Sequence, residues 1–384
     1  MGEKSSTQTL ASAVAELEPE ELPQLQADSA PQRVHVAWIA GPCTLDEYGR
    51  ALEPLAVGLL DELVDIVALC PQGQDTQELP SPPVGILPYG RRRWWRFGRS
   101  AAEGLVEQLR RGKVQLLHAL DADAWPLAAE LARLMRLKCV VSSYSLTDGR
   151  RLGRLRQQVP AVVAASEPIR RQLLGYRVAP EGRVALVRPG VYQAGRATCF
   201  QNPDYRVSIV AGGPLDDYAV LGAVLRSFAE LLKRKYDCVF FVLGNGRAEK
   251  PLRLLAEKLG LRHELTFVDR QPARVLPELF KAADIYVAPI PSRSIDMAGL
   301  LAMAAGIPVL ATTDGAADFL IDGRTMLRFK QGDAADLTAR LASLMDDRPA
   351  AIRLAEGALE HLRANHSPAG AVAALTCIYR KAVS

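Results

Sequence analysis

Residues 284–315 read DIYVAPIPSRSIDMAGLLAMAAGIPVLATTDG, and the order of the parts within this stretch decides the fold. The run ending at Pro289 is apolar without strict in/out alternation, as in a strand covered on both faces. A helix is expected near Asp296–Ala305, and IPVLAT after it reads as the next strand. Strand, helix, strand in this order is the unit of a parallel sheet.

The same rhythm extends upstream. VSIVAGG precedes a helix near Asp217–Lys235, CVFFVLGNG precedes a helix near Ala248–Leu259, and ELTFV precedes a helix over Ala273–Lys281. Three further helices are expected near Ala334–Met345, Ala350–Asn365 and Ala369–Lys381. Towards the N-terminus, RVHVAWIA, DIVALC, VQLLHAL, KCVVSS, AVVAAS and RVALV alternate with helical segments such as Leu52–Leu63, Ser100–Arg111 and Ala124–Leu137. Residues 189–206 interrupt the pattern with Pro, Gly, Asn and Tyr, as a linker does. The reading is therefore α/β, with two Rossmann-like doubly wound domains facing a central crevice. Residues 33–192 form the first domain, 193–206 the linker and 207–366 the second domain, followed by a last helix in 367–384. Ligands of such folds bind at the carboxyl ends of the strands.

Composition narrows the function. A chain of 384 residues suits two ordinary cores. A net charge of +4 is mild, and no nucleic-acid partner is expected from it. The six cysteines form no CxxC pair, and Cys70, Cys139 and Cys238 lie in or beside strand-like runs, which fits small buried hydrophobes in a reducing compartment. Residues 1–32 are polar, lack an apolar signal region, and read as a disordered arm. Gly2 followed by Ser6 matches an acylation pattern short enough to arise by chance. No apolar run is long enough to cross a bilayer, so the expected location is the cytoplasm or the inner face of the membrane.

Three local features bear on chemistry. GNGRAE, Gly244 to Glu249, follows a strand and opens a helix as phosphate loops do, yet lacks the third glycine of the dinucleotide fingerprint. Its plainer reading is a tight turn that needs glycine. His118 ends VQLLH, either as a hydrogen-bonded strand terminus or as a catalytic group. In YGRRRWWRFGRS, the residues Arg91, Arg92, Arg93, Trp94, Trp95 and Arg96 suit an anionic membrane surface or a solvated loop, with single-stranded nucleic acid a third reading that the near-neutral remainder of the chain weakens.

The stretch 284–315, with VSIVAGG and FVLGNG upstream, resembles the donor half of the retaining GT-B glycosyltransferases that include glycogen- and sucrose-synthase relatives. The likeness extends through VQLLHAL, AVVAASEPIRRQL and VRPGV, covers roughly residues 33–384, and implies that the last helix, 367–384, crosses back to complete the first domain. It implies transfer of a hexose from a UDP- or GDP-sugar to a glycan or lipid-linked acceptor, with no metal or other cofactor. It places Gly41, Gly190, Gly213, Gly244, Gly246, Asp269, Arg293 and Asp296 around the donor crevice, puts the basic loop Arg91–Arg96 on the acceptor side, and makes His118 and Tyr144 the catalytic candidates.

The chain departs from the family pattern where charge matters. Pro214 and Ala219 stand where the family has the Arg and Lys that neutralise the diphosphate, and Arg293 and Leu301 stand at its two glutamates. Tyr144 replaces a histidine, Asp269 a glycine, and Pro189-Gly190-Val191-Tyr192 the usual Asn-Gly-Val-Asp. Removing one preorganised donor typically costs about 10²–10³ in rate. The alternatives are therefore a catalytically silent ligand- or partner-binding module and, third, a GT-B sugar epimerase. A guanidinium accepts no hydrogen bond from a sugar, so Arg293 is expected either to bind an anionic group or to pair with Asp296, the second being favoured.

Overall fold

The computed structural model describes residues 32–81, 83–90, 98–153, 159–202, 205–312 and 315–384. The expected arm, apart from Gln32, and the basic-aromatic residues Arg91–Arg96 lie outside them. From Val34 to Ser384 the chain forms one compact unit built on two parallel sheets.

The first sheet contains β1 (Val34–Ile39), β2 (Val64–Pro71), β3 (Gly85–Tyr89), β4 (Leu116–Ala119), β5 (Lys138–Ser143), β6 (Val162–Ala164) and β7 (Val184–Leu186), in the order β3-β2-β1-β4-β5-β6-β7. The second contains β8 (Val207–Gly212), β9 (Cys238–Leu243), β10 (Leu265–Val268), β11 (Ile285–Ala288), β12 (Val309–Ala311) and β13 (Leu327–Arg328), in the order β10-β9-β8-β11-β12-β13. Strand order reverses beside β1 and beside β8, and such switch points open a crevice at the carboxyl ends. β8 and β11 are buried throughout, which explains their lack of alternation. The sequence reading omitted β3, an edge strand containing Pro88; an edge position tolerates the missing N–H.

Three helices bear on the crevice. α1 (Thr44–Asp61) begins well before the expected Leu52 and carries Pro54 in its interior. An interior proline normally costs about 3 kcal/mol; here the helix persists with Leu45, Leu52, Ala56 and Leu59 buried on its inner face. α8 (Leu276–Lys281) is shorter than the expected Ala273–Lys281, because residues 273–275 form a turn against the first domain. α9 (Met297–Ala305) is almost wholly buried, starts at the Asp296 cap, and stops at Gly306 with φ +83°.

The last helix, α12 (Pro368–Val383), crosses back onto α1 and the first sheet. Gly190 sits under its start, where a side-chain carbon would lie 2.7 Å from Pro368 Cα. The backbone closes this crossing, with Val191 N–H donating to the His366 carbonyl at 3.0 Å and His366 Nδ1 3.0 Å from the Pro189 carbonyl. Gly190 therefore serves close chain packing and is not a crevice residue. Cys70, Cys139, Cys199 and Cys238 are buried free thiols.

One buried acid lies beside the crevice. Glu78, in the loop after β2, is 4% exposed, packs its stem on Gly49, and leaves Oε1 without a partner among the described residues. Burial pushes its carboxyl up to about 7, with Arg50 and Arg274 opposing and Glu53 and Asp75 adding to the rise. A folded-state value above the unfolded one means the native state binds the extra proton. Its contribution is full below about 4.5 and is lost as pH rises through about 7. Glu78→Gln should therefore stabilise the protein at pH 8 relative to pH 5 by about 1–3 kcal/mol compared with wild type. Thermal melts of both proteins at the two pH values check this, and parallel curves would refute it.

Candidate donor crevice

A cavity of about 380 Å³ opens between the domains. Its floor is the carboxyl ends of β8 and β9, at Gly212, Gly213, Pro214, Leu243, Gly244 and Asn245. One wall is the turn Arg270–Leu276, another is Ser292 to Ala298 leading into α9, and the N-terminal domain contributes Asp46, Glu47 and Tyr48 from α1. This volume lies in the range of small-molecule sites.

Backbone contacts join the two domains at the crevice. Ser145 and Ser294 form an antiparallel bridge, with Leu146 N–H donating to the Arg293 carbonyl and Ile295 N–H to the Tyr144 carbonyl, both at 2.8 Å. Ala273 N–H donates to the Asp46 carbonyl at 2.8 Å. Two ion pairs add to these contacts, Arg270 Nη2 to Glu47 Oε1 at 2.7 Å and Arg274 Nη1 to Asp75 Oδ2 at 2.8 Å.

Of the expected crevice residues, Gly213, Gly244 and Asp296 line the cavity. Gly213 and Gly244 have φ of +146° and +148°, a region only glycine adopts freely. Gly246 lies behind the floor, pressed on the Leu215 backbone. Asp269 faces Asn245, whose Nδ2 donates to it at 3.1 Å. Gly41 does not reach the cavity either; it packs against Asp121, which bonds Thr44 and accepts from the Ala124 N–H at 2.8 Å.

The favoured expectation for Arg293 fails. Asp296 accepts from Gly299 N–H at 3.0 Å as the cap of α9, and Arg293 is exposed with no ion-pair partner among the described residues. Ser292 and Ser294 line the cavity and Arg293 between them does not, so this segment lends its backbone to the domain bridge and turns its guanidinium elsewhere. Leu301 is buried on a separate cavity of about 210 Å³ beside the linker.

Neither catalytic candidate stands free in the crevice. His118 is 2% exposed, with Nδ1 2.5 Å from Tyr379 Oη and Nε2 2.8 Å from Ser142 Oγ. Burial pushes its pKa down to about 3, so the ring is neutral and structural. Tyr144 stacks on Tyr48, with centroids 4.1 Å apart, and burial raises both phenols. Tyr48 is the member of the pair that lines the cavity.

Residues that sequence reasoning missed carry the charge. Asp46 and Glu47 join the expected Asp296 along the cavity, and among the described lining residues the one cation is Arg270. Burial raises the Asp296 carboxyl, against the pull of the Gly299 and Ala298 N–H groups, and the hydrogen bond to Glu47 raises Arg270. Arg270 directly follows the singled-out Asp269, and Asn245 lies within GNGRAE, so both neighbourhoods were visible although neither role was. Among the described residues no group of three or more His, Cys, Asp or Glu is placed to hold a metal ion, and no helix is long and apolar enough to cross a membrane.

Two facing Rossmann-like domains with a crevice at their strand ends define the GT-B class. Both halves of the chain match glycosyltransferase models: residues 209–361 match the family model described as glycosyl transferases group 1, and residues 49–193 match the one described as glycosyltransferase family 4. It is similar to the D-inositol 3-phosphate glycosyltransferases of Corynebacterium efficiens (30% identical over 219 residues, 54% of this chain and 51% of that protein) and Nocardia farcinica (30% over 193 residues, 48% and 42%). The chain spans about half the length of these relatives. In fold it is similar to Anabaena HepE, solved with UDP and glucose (TM-score 0.72, 13% identity, 88% of this chain and 97% of that one). Sucrose-phosphate synthase of Thermosynechococcus elongatus is comparable (TM-score 0.69, 15% identity, 91% and 99%).

Proposed function

We propose that the crevice is a nucleotide-sugar site and that the protein transfers a hexose from a UDP- or GDP-sugar to a glycan or lipid-linked acceptor. The observation that carries this reading is the position of the cavity. It lies on the carboxyl ends of β8 and β9, floored by glycines, in a chain whose relatives are named for glycosyl transfer. HepE, which shares the fold, was solved with UDP and with UDP-glucose.

The cavity determines what the chain's own residues contribute. Gly213 and Gly244 let a ligand approach the backbone, and Tyr48 and Tyr286 give it apolar walls. Pro214 and Ala219 supply no charge to a diphosphate, so neutralisation falls to other groups.

A panel of UDP- and GDP-sugars tests the reading in two stages. The right donor should raise the melting temperature, because a ligand at a hundredfold excess over its Kd stabilises by about 2.7 kcal/mol. Nucleotide release should then require an acceptor, offered free and in anionic vesicles; a vesicle preference would support a membrane role for Arg91–Arg96. Binding without any conversion of the donor would make the protein a silent binding module, acceptor-independent conversion of the donor to its epimer with no net nucleotide release would point to the epimerase reading, and no binding would end the donor-site reading.

A further inference from the structure

We infer that Arg270 is the group that receives the donor's diphosphate in this chain, and that Glu47 holds the guanidinium in place until the anion arrives. This rests on the donor-site reading. A diphosphate needs positive charge or free N–H groups, and two usual sources are closed here. Positions 214 and 219 hold Pro and Ala. The start of α9, which faces the cavity, is already occupied by the protein's own carboxylate, since Asp296 accepts from the Gly299 N–H. Among the described residues lining the cavity, Arg270 is the cation that remains.

Its setting suits the role. Asn245, next to Gly244 on the floor, accepts from the Arg270 N–H with its side-chain oxygen and donates to Asp269, which fixes the turn that presents the arginine. The Arg270 side chain is 61% exposed and meets Glu47 through Nη2 alone. The rest of its fork, whose geometry matches pairs of phosphate oxygens, faces no partner among the described residues. An exposed ion pair of this kind is weak and exchangeable. Glu47 therefore competes with the incoming phosphate for one guanidinium and adds a negative charge of its own.

That competition gives the two halves of one ion pair opposite effects. If the pair merely clamped the domains, removing either half would act in the same direction. Titration calorimetry of wild type, Arg270→Gln and Glu47→Gln with UDP, GDP, uridine and guanosine reads the difference. Arg270→Gln should weaken binding of the preferred nucleoside diphosphate by about tenfold or more, as for a lost hydrogen bond to a charged group, and leave the nucleoside within about twofold. Glu47→Gln should tighten diphosphate binding about threefold or more, as expected when a like charge leaves the site. Both side chains are partly exposed, so unchanged circular dichroism and melting curves should confirm that the variants fold.

Shifts of the same sign in both variants would overturn the inference in favour of a clamp. Equal loss of nucleoside and nucleoside diphosphate in Arg270→Gln would make the arginine a base contact and overturn it too. Wild type that binds UDP or GDP while Arg270→Gln binds it equally well would sink this inference alone. Wild type that binds neither would sink the donor-site reading and the inference with it.

Discussion

Tyr379→Phe should lower the stability of the protein by about 2–5 kcal/mol, although it removes a single oxygen from a residue outside the cavity lining. Tyr379 lies on α12 and reaches the side chains of Trp38 and His118, which are partners on the neighbouring strands β1 and β4. Trp38 Nε1 donates to its hydroxyl at 2.8 Å, and the hydroxyl lies 2.5 Å from His118 Nδ1. One arrangement of protons satisfies every group. Trp38 donates to Tyr379, Tyr379 donates to Nδ1, and Nε2–H of a neutral His118 donates to Ser142 Oγ at 2.8 Å. Phenylalanine leaves the indole N–H and Nδ1 without partners in a site where Trp38 and Tyr379 are fully buried, and each such group costs about 1–3 kcal/mol. Urea unfolding followed by circular dichroism should show a lower midpoint with an unchanged slope. An unchanged midpoint would show that α12 is held by apolar contacts alone.

This hydrogen-bond chain also marks where the sequence stopped being informative. The strand–helix rhythm made the two parallel sheets legible, because strands buried on both faces lose their alternation. VSIVAG and IYVA are buried at every position. Local patterns were weaker where tertiary packing overrode them. The local pattern gives a helix over Leu52–Leu63, whereas buried contacts carry α1 back to Thr44, through Pro54. His118 stands at a strand end, and nothing local distinguishes a histidine facing a crevice from one sealed by a tyrosine 261 residues away.

The site was legible as a place and not as a charge distribution. Gly213 and Gly244 were visible because a backbone requirement leaves a glycine in the sequence. An Arg293–Asp296 pair is the natural expectation where a buried arginine has a carboxylate nearby, but Asp296 is committed to capping α9 and Arg293 is exposed, outside the cavity lining. Glu47 and Arg270 are 223 residues apart, and only the fold makes them neighbours. Residue types that hold a turn are readable from one strand–turn–helix unit. Residues that share a field across two domains are not.

Gly244→Ala should have the largest effect of any single change in the crevice. Gly244 has φ +148°, and a side-chain carbon there would run into the carbonyl oxygen of Gly213, itself at φ +146°. The obstruction is backbone and cannot rotate away. Gly213 N–H is bonded to the Leu243 carbonyl at 3.1 Å, Gly244 N–H to the Val268 carbonyl at 3.0 Å, and Leu215 N–H to the Asn245 carbonyl at 3.0 Å. Alanine must first adopt a conformation that is essentially reserved for glycine, at about 1–3 kcal/mol, and must also spread the ends of β8 and β9, giving a total of roughly 3 kcal/mol or more. The displacement would carry Asn245 with it and loosen the turn that presents Arg270, so ligand affinity should fall even where the protein remains folded. Gly73→Ala is the control, because Gly73 also has positive φ, +79°, but nothing lies within 4 Å of its missing side chain. It should cost only about 1–2 kcal/mol and leave binding unchanged. Denaturation midpoints and nucleoside diphosphate titrations of the two variants measure the difference. Equal losses of stability would mean that the strand ends can spread freely and that Gly244 is kept only for its backbone angle.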